Sequence, residues 1–426
     1  MKISSIIGVV LLISIASSVS YWMGSHNQND ETTAPIREKI REYVTEQRNK
    51  GEEINLADKF GTNFEKMDLS GLDLSNVILK GVNLSYTNLR NTILENAILE
   101  DANLQYANLE RVNFIGAKLR STNLSYSNLS KSNMENISLP EANLSYASIQ
   151  NANLKNANLE KADLSYSDMT GSHLYKANLS DAILEGVELA YADLREANLS
   201  GASLLGADLD FSDLKGASLI DASIEGAFMH RTRLDNANMT RADLRDANLQ
   251  RADLQGTILT DATLLNTNLS GSNLWEANLN GAKLNGANLS GSHLWDTKLQ
   301  KAILDGATFY RANLEGADFT EASLQDSSFK GASLEGAIFI KANLQDADLK
   351  GSSLKGIKLS GANLQDANLK SVNLERADLS NANLSGANLS GANIIGANFT
   401  NAKMHNIIGI TAKDLATIKA MGVLNK

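Results

Sequence analysis

NLSYSNL, residues 123–129, holds a tyrosine that recurs at a fixed interval: Tyr86, Tyr106, Tyr126, Tyr146 and Tyr166 stand twenty residues apart. Half of the ten tyrosines obey this rule, and packing in an ordinary core would not space them so evenly. A shorter repeat lies beneath the twenty. Numbered in fives from Thr62, the chain repeats a small residue, a polar residue, Leu and two variable positions, as in Ala102-Asn103-Leu104-Gln105-Tyr106 and Ala382-Asn383-Leu384-Ser385-Gly386. The third position runs from Phe64 to Met404 through 69 repeats, is Leu in 54 of them, and is otherwise Phe, Ile or Met. No insertion or deletion breaks the register between residues 62 and 406.

A period of five matches neither the 3.6 of a helix nor the 2 of a strand. It fits a chain that turns a corner every five residues, so that four repeats close a square coil of twenty. Leu and the small residue before it point inward, where a narrow tube has no room for two large side chains. Backbone groups then bond to the coils above and below at the ~4.8 Å strand spacing, and about 17 coils make a rod of roughly 80 Å. Glycine tests the corner independently: all 24 glycines between Thr62 and Asn406 fall at the fifth position, from Gly71 to Gly396. A type II turn needs positive φ at its second central residue, which glycine supplies without steric cost. Asn and Asp, tolerant of that conformation, fill others such as Asn151 and Asp181. Pro140 sits at the fourth position, the first central residue of the turn, where proline fits.

The A-(D/N)-L-x-x pattern resembles the pentapeptide-repeat family over about four-fifths of the chain, and the resemblance implies a right-handed quadrilateral β-helix. The expected fold is thus an all-β solenoid with an N-terminal hydrophobic helix and short helical caps. The five tyrosines would stack along one edge, and Trp275 and Trp295, also twenty apart, would stack likewise. Tyrosine disfavours positive φ, so this edge is expected to use type I-like turns as far as Tyr166. A change of turn type is expected where Gly186, Gly206 and Gly226 follow. Phe309, Phe319, Phe329 and Phe339 should alternate between opposite inner faces and fill the core.

The ends differ from the array. Ile3 to Met23 is an uncharged apolar run after Lys2, read as a signal peptide or transmembrane anchor within residues 1–24. As a helix it would be ~31 Å long, enough to cross a ~30 Å bilayer core. The lysine places the array on the non-cytoplasmic side, and Ser18-Val19-Ser20 offers a cleavage site. Residues 25–61 read as a linker and an N-terminal capping helix, with Ile36, Ile40 and Val44 at helical spacing between Pro35 and Gly51. Residues 407–426 read as a C-terminal cap, with Thr411 and Asp414 in a capping-box arrangement and Leu415 and Ile418 on one face.

The chain offers little for catalysis. It has no cysteine, hence no disulfide, thiolate zinc site or cysteine nucleophile. Of its five histidines, His173 and His293 share a face but lie six coils apart, ~29 Å at the strand spacing and beyond shared metal ligation. No P-loop, GxSxG, HExxH or dinucleotide fingerprint is present. The Asn and Asp of the second repeat position read as a hydrogen-bonding stripe rather than calcium ligands. No catalytic, cofactor-binding or metal-ligating residue is therefore assigned, and neither a cofactor nor a small-molecule substrate is expected.

One edge stands out, where consecutive coils carry Tyr191, Phe211, Arg231 and Arg251. Aromatics beside guanidiniums suit a polyanion, a headgroup or a partner's acidic loop. Asp235, Asp243, Asp246 and Asp253 interleave with the arginines of residues 230–254, so internal ion pairing is the competing reading. A net charge of −10 argues against nucleic acid, which wants a basic face. Taken together, the sequence predicts a non-enzymatic, exported, membrane-tethered rod that serves as a scaffold or a protein-interaction module for an unidentified protein partner. It is similar to exported pentapeptide-repeat proteins of cyanobacteria, whose functions are mostly unassigned. The alternative is the family's acidic DNA-mimic branch, which protects gyrase. Against it stand the 29 basic residues mixed with 40 acidic ones in the array, the short acidic ladder Asp326, Asp346 and Asp366, and the uninterrupted repeats.

Overall fold

The computed structural model describes residues 34–411 and Ile418. The apolar leader, the linker before residue 34 and most of the expected C-terminal cap lie outside those residues. No helix among the described residues is long and apolar enough to cross a membrane.

From Asn63 to Ile408, the residue at each second repeat position bridges in parallel to the residue twenty later, as Asn103 does to Asn123 and Asn388 to Ile408. In residues 104–108 all five N–H groups find acceptors, as buried backbone requires. Leu104 N–H donates to Asn123 O of the next coil at 2.7 Å and Tyr106 N–H to Ser125 O at 3.1 Å, while Asn108 N–H reaches back to Thr87 O at 2.9 Å. Ala107 N–H closes the corner onto Leu104 O at 3.0 Å. The remaining donor, Gln105 N–H, is taken by the side chain of Asn103 at 3.2 Å. The Asn/Asp stripe is therefore structural: its carbonyl or carboxylate oxygen satisfies the fourth N–H, and its amide climbs to the coil below, as Asn103 Nδ2 does to Asn83 Oδ1 at 3.3 Å. Thr at the inward small position donates its hydroxyl to a buried backbone carbonyl, as Thr122 Oγ1 does to Leu99 O at 2.8 Å, whereas the buried hydroxyls of Ser132 and Ser172 have no partner among the described residues.

The third-position side chains and the small residues before them form one continuous buried core. Phe309 stacks on Phe329 at 4.6 Å and Phe319 on Phe339 at 4.5 Å, and the two stacks meet edge to face, 5.9 Å apart at Phe309 and Phe319. The rings thus alternate between facing inner walls and fill the tube from both.

The corners correct one expectation. Tyr86, Tyr106, Tyr126, Tyr146 and Tyr166 have φ of 59, 60, 60, 59 and 57°, like Gly186 at 61° and Gly206 at 62°. With the fourth residue at negative φ and the fifth at positive φ, this edge keeps the type II arrangement throughout, and no change of turn type occurs at Gly186. The reason is closure. The fifth residue's N–H must reach the coil above while the next residue's N–H closes the turn, and only one conformation does both. The left-handed conformation costs an L-residue about 1–2 kcal/mol, which stacking on the neighbouring rings helps offset.

At the N-terminal end, helix α1 (Ala34–Lys50) lies over the first coils, with Ile40 and Val44 buried in the core cluster. Arg37 Nη2 donates to Ser70 O at 2.6 Å, and Arg48 Nη1 meets Asp73 Oδ2 at 2.8 Å. Two further elements follow that the spacing did not announce. Strand β1 (Ile54–Asn55) pairs in parallel with β2 (Val77–Ile78), and the short helix α2 (Leu56–Phe60) is capped by Asn55. They cover backbone that the first coil would otherwise expose, the general liability of a solenoid end. At the other end, helical Ile418 is buried against the core cluster.

Candidate interaction edge

The tyrosine column is closed to ligands stacking on its rings. Successive centroids lie 4.9 to 5.2 Å apart at interplanar angles of 2 to 16°, so every ring face except the two at the ends of the column meets another ring. Lys66 Nζ sits 5.8 Å from the Tyr86 ring at the lower end. At the upper end Tyr166 lies over Gly186, where an added Cβ would stand 2.7 Å from two ring carbons. Only edges and hydroxyls face water, and burial, with help from neighbouring phenols, pushes the Tyr106 and Tyr146 hydroxyls above the usual tyrosine pKa. Trp275 and Trp295 stack at 5.7 Å and 10° on a different edge, and the outer ring, Trp295, is half exposed.

The second aromatic column is open. Tyr191 and Phe211 stack at 5.1 Å and 4°, and Tyr191 is 64% exposed. On the far side of Phe211, the Arg231 guanidinium stands 5.9 Å from the ring, and His230 meets it edge-on at 5.5 Å. Arg251 continues the corner one coil further.

The arginines of residues 230–254 divide into two sets. Arg233 pairs with Asp213 at 2.9 Å, Arg241 with Asp221 at 2.6 Å, and Arg245 with both Glu225 and Asp243 at 2.7 Å. The Arg241 guanidinium holds the Asp221 carboxyl below its ordinary pKa. Arg231 and Arg251 have no ion pair among the described residues. Of the acids expected to neutralise the cluster, Asp246 and Asp253 are taken by the side-chain amides of Asn266 at 3.3 Å and Asn273 at 2.9 Å.

Beside this edge the fold assembles a column that sequence spacing had not singled out: Asp168, Glu188 and Asp208 on successive coils, topped by Phe228, 49% exposed at a position usually polar. Their spacing of twenty was legible, as was an aromatic at a second position. Burial, then the charges of Asp168 and Asp208, raise the Glu188 pKa, and burial raises that of Asp208. A carboxyl whose folded pKa lies above its unfolded value holds extra protons in the folded state, so its contribution to stability falls as pH rises through that window. Glu188→Gln is therefore expected to raise the melting temperature at about pH 7 and to leave it unchanged near pH 3.5, below the unfolded value of ~4.3. Thermal melts at both pH values check this, and no gain at pH 7 contradicts it.

No group of three acidic, His or Cys side chains suited to a metal occurs among the described residues. His173 and His293 stand in one column, with five coils between them.

The profile described as pentapeptide repeats matches residues 60–96, 97–136, 137–175, 177–216, 212–251, 247–286 and 367–406. A second, described as a pentapeptide repeat region, matches residues 302–377. The chain belongs to the pentapeptide-repeat family. The solenoid is accordingly a right-handed β-helix, and members of the family are generally non-enzymatic. No curated protein matches the chain. Similar solved structures include HetL of the cyanobacterium Nostoc sp. strain PCC 7120, a pentapeptide repeat protein involved in heterocyst differentiation regulation. It is 37% identical over 48% of this chain and 88% of its own, with a TM-score of 0.33. QnrB1, a plasmid-mediated fluoroquinolone resistance protein, is 17% identical over 43% of this chain and 97% of its own, with a TM-score of 0.29. A pentapeptide repeat protein from the thylakoid lumen of Arabidopsis thaliana is 26% identical over 33% and 77%, with a TM-score of 0.17.

Proposed function

We propose that this pentapeptide-repeat protein is a non-enzymatic interaction rod, exported and tethered through its apolar N-terminal segment, and that the edge formed by Tyr191, Phe211, Arg231 and Arg251 receives an acidic surface of a protein partner. The observation that carries this reading is that Arg231 and Arg251 have no acid partner among the described residues, next to the open Tyr191–Phe211 stack, while the arginines around them are paired. Guanidiniums held beside aromatic rings bind carboxylates bidentately and at low ordering cost. The acidic DNA-mimic reading has less support, because the acidic column of Asp326, Asp346 and Asp366 shares its face with Lys330, Lys350 and Lys370, and the one acid between them, Asp348, pairs with Lys330.

The double variant Arg231→Ala/Arg251→Ala is expected to lose the partner that the wild-type chain captures from its own membrane fraction. Its unfolding free energy should change by no more than about 1 kcal/mol, the worth of the exposed contact between Arg231 and Phe211. Capture of the same proteins by both forms overturns the assignment of this edge. Protease treatment of intact cells, read with N-terminal sequencing, tests export and tethering: the reading requires an array digested from outside and an uncleaved leader.

A further inference from the structure

The face that runs from Asp326 to Lys370 has a charge pattern that its own chain does not satisfy. Asp326, Asp346 and Asp366 occupy one corner on three successive coils, and Lys330, Lys350 and Lys370 stand four residues further along the same coils. Ser328, Asp348 and Asn368 lie between the two columns and bridge coil to coil. All six charged residues are exposed. One is paired internally, Lys330 with Asp348 at 2.8 Å. Asp346 and Asp366 receive only the neutral amides of Gln345 and Gln365, at 3.2 and 3.1 Å, and no ion pair forms at Lys350, Lys370 or any of the three corner aspartates among the described residues.

Stacking like charges at the coil spacing of ~4.8 Å is unfavourable. Opposite signs can instead follow one another up a column, as where Arg233 follows Asp213 and pairs with it at 2.9 Å. Here each column keeps one sign and the opposite sign is held across the face.

We infer that this face binds a second copy of the same chain, side by side and parallel. A two-fold axis lying in the interface and running along the rod exchanges left and right, so each acidic column meets the partner's lysine column. Asp326 then faces Lys330, Asp346 faces Lys350 and Asp366 faces Lys370, and symmetry repeats each contact. A two-fold axis across the rod, which would pair the copies antiparallel, sets acid against acid and lysine against lysine. The charge pattern thus selects one arrangement and rejects the other, as isologous interfaces require. Parallel pairing also brings both N-terminal ends to the same side, as two tethers in one membrane would need. Exposed pairs are individually weak and screened by salt, so the association is salt-sensitive.

The test uses the full chain in detergent, by analytical ultracentrifugation. A dimer is expected at about 50 mM salt, with a dissociation constant at least about tenfold weaker at 0.5 M. Reversing the corner (Asp326→Lys, Asp346→Lys, Asp366→Lys) or the ladder (Lys330→Asp, Lys350→Asp, Lys370→Asp) should leave each variant monomeric. Mixing the two variants should restore a heterodimer, which also shows that both remain folded. Lysine already holds the same positive-φ corner conformation at Lys131, Lys161 and Lys341, so the corner substitutions suit the backbone. Because the chain has no cysteine, Ser328→Cys and Asn368→Cys, made separately, report orientation through a bis-maleimide matched to the ~10 Å spacing of stacked sheets. Each position should cross-link to itself. A monomer at low salt, a dimer that survives both reversals, or cross-links between positions 328 and 368 in a mixture overturns the proposal.

Discussion

Replacing Phe329 by alanine is expected to destabilise the middle of the rod by about 3–5 kcal/mol. The ring is fully buried, stacks on Phe309 at 4.6 Å and 2°, and meets Phe339 edge-on at 5.9 Å and Phe319 at 6.3 Å. The walls cannot collapse onto the void. Leu324 N–H and Leu334 N–H, on either side in sequence, are tied to the next coil at 2.7 and 2.8 Å, so the spacing of the coils is fixed by backbone bonds rather than by the side chain removed. Phe329→Leu, which restores the residue used in most repeats, should cost under about 1.5 kcal/mol. A solenoid responds through its nearest neighbours. Urea unfolding should therefore show the lowered midpoint, and hydrogen exchange should place the weakened amides at coils next to position 329. Equal stability of the Ala and Leu variants would contradict the interlocked core.

Proline tells the five repeat positions apart. Asn156→Pro should cost more than about 3 kcal/mol, because Asn156 has φ of 56° and its N–H donates to Tyr175 O at 2.9 Å. Proline can neither reach positive φ nor donate. Lys155→Pro, one residue earlier, should cost under about 1 kcal/mol, the worth of a single exposed hydrogen bond. Its N–H donates only to the Asn153 side chain at 3.2 Å, and its long ion pair with Glu135 is 3.8 Å. Pro140 already stands at the equivalent place. Denaturant midpoints of the two variants, measured side by side, decide the matter, and similar losses for both would contradict the hydrogen-bond scheme.

The coil was legible because each of its rules is a spacing along the chain. The inward leucine, the small residue before it, glycine at the fifth position and proline at the fourth are constraints that one pentad states completely, and repetition states them 69 times. The twenty-residue stacking partners followed by arithmetic, among them Tyr86 with Tyr106 and Tyr191 with Phe211. The sign of φ beneath the tyrosines did not follow. Residue preference argued against it, and closure of the hydrogen bonds to the coil above overruled that preference at every tyrosine of the edge.

Charge pairing was the least legible feature, because it depends on side-chain reach between coils. Arg245 takes Glu225, one coil away, together with Asp243, two residues back on its own coil, whereas Asp246 next to it goes to Asn266. Arg231 is left with a phenyl ring. Sequence alone determined the coil, its register and the columns into which side chains fall, since these follow from a period. Tertiary structure alone decided which left-handed corners are tolerated, how α1 and β1 cover the first coils, and which charges remain unpaired. Those outcomes depend on distances between coils that no single pentad contains.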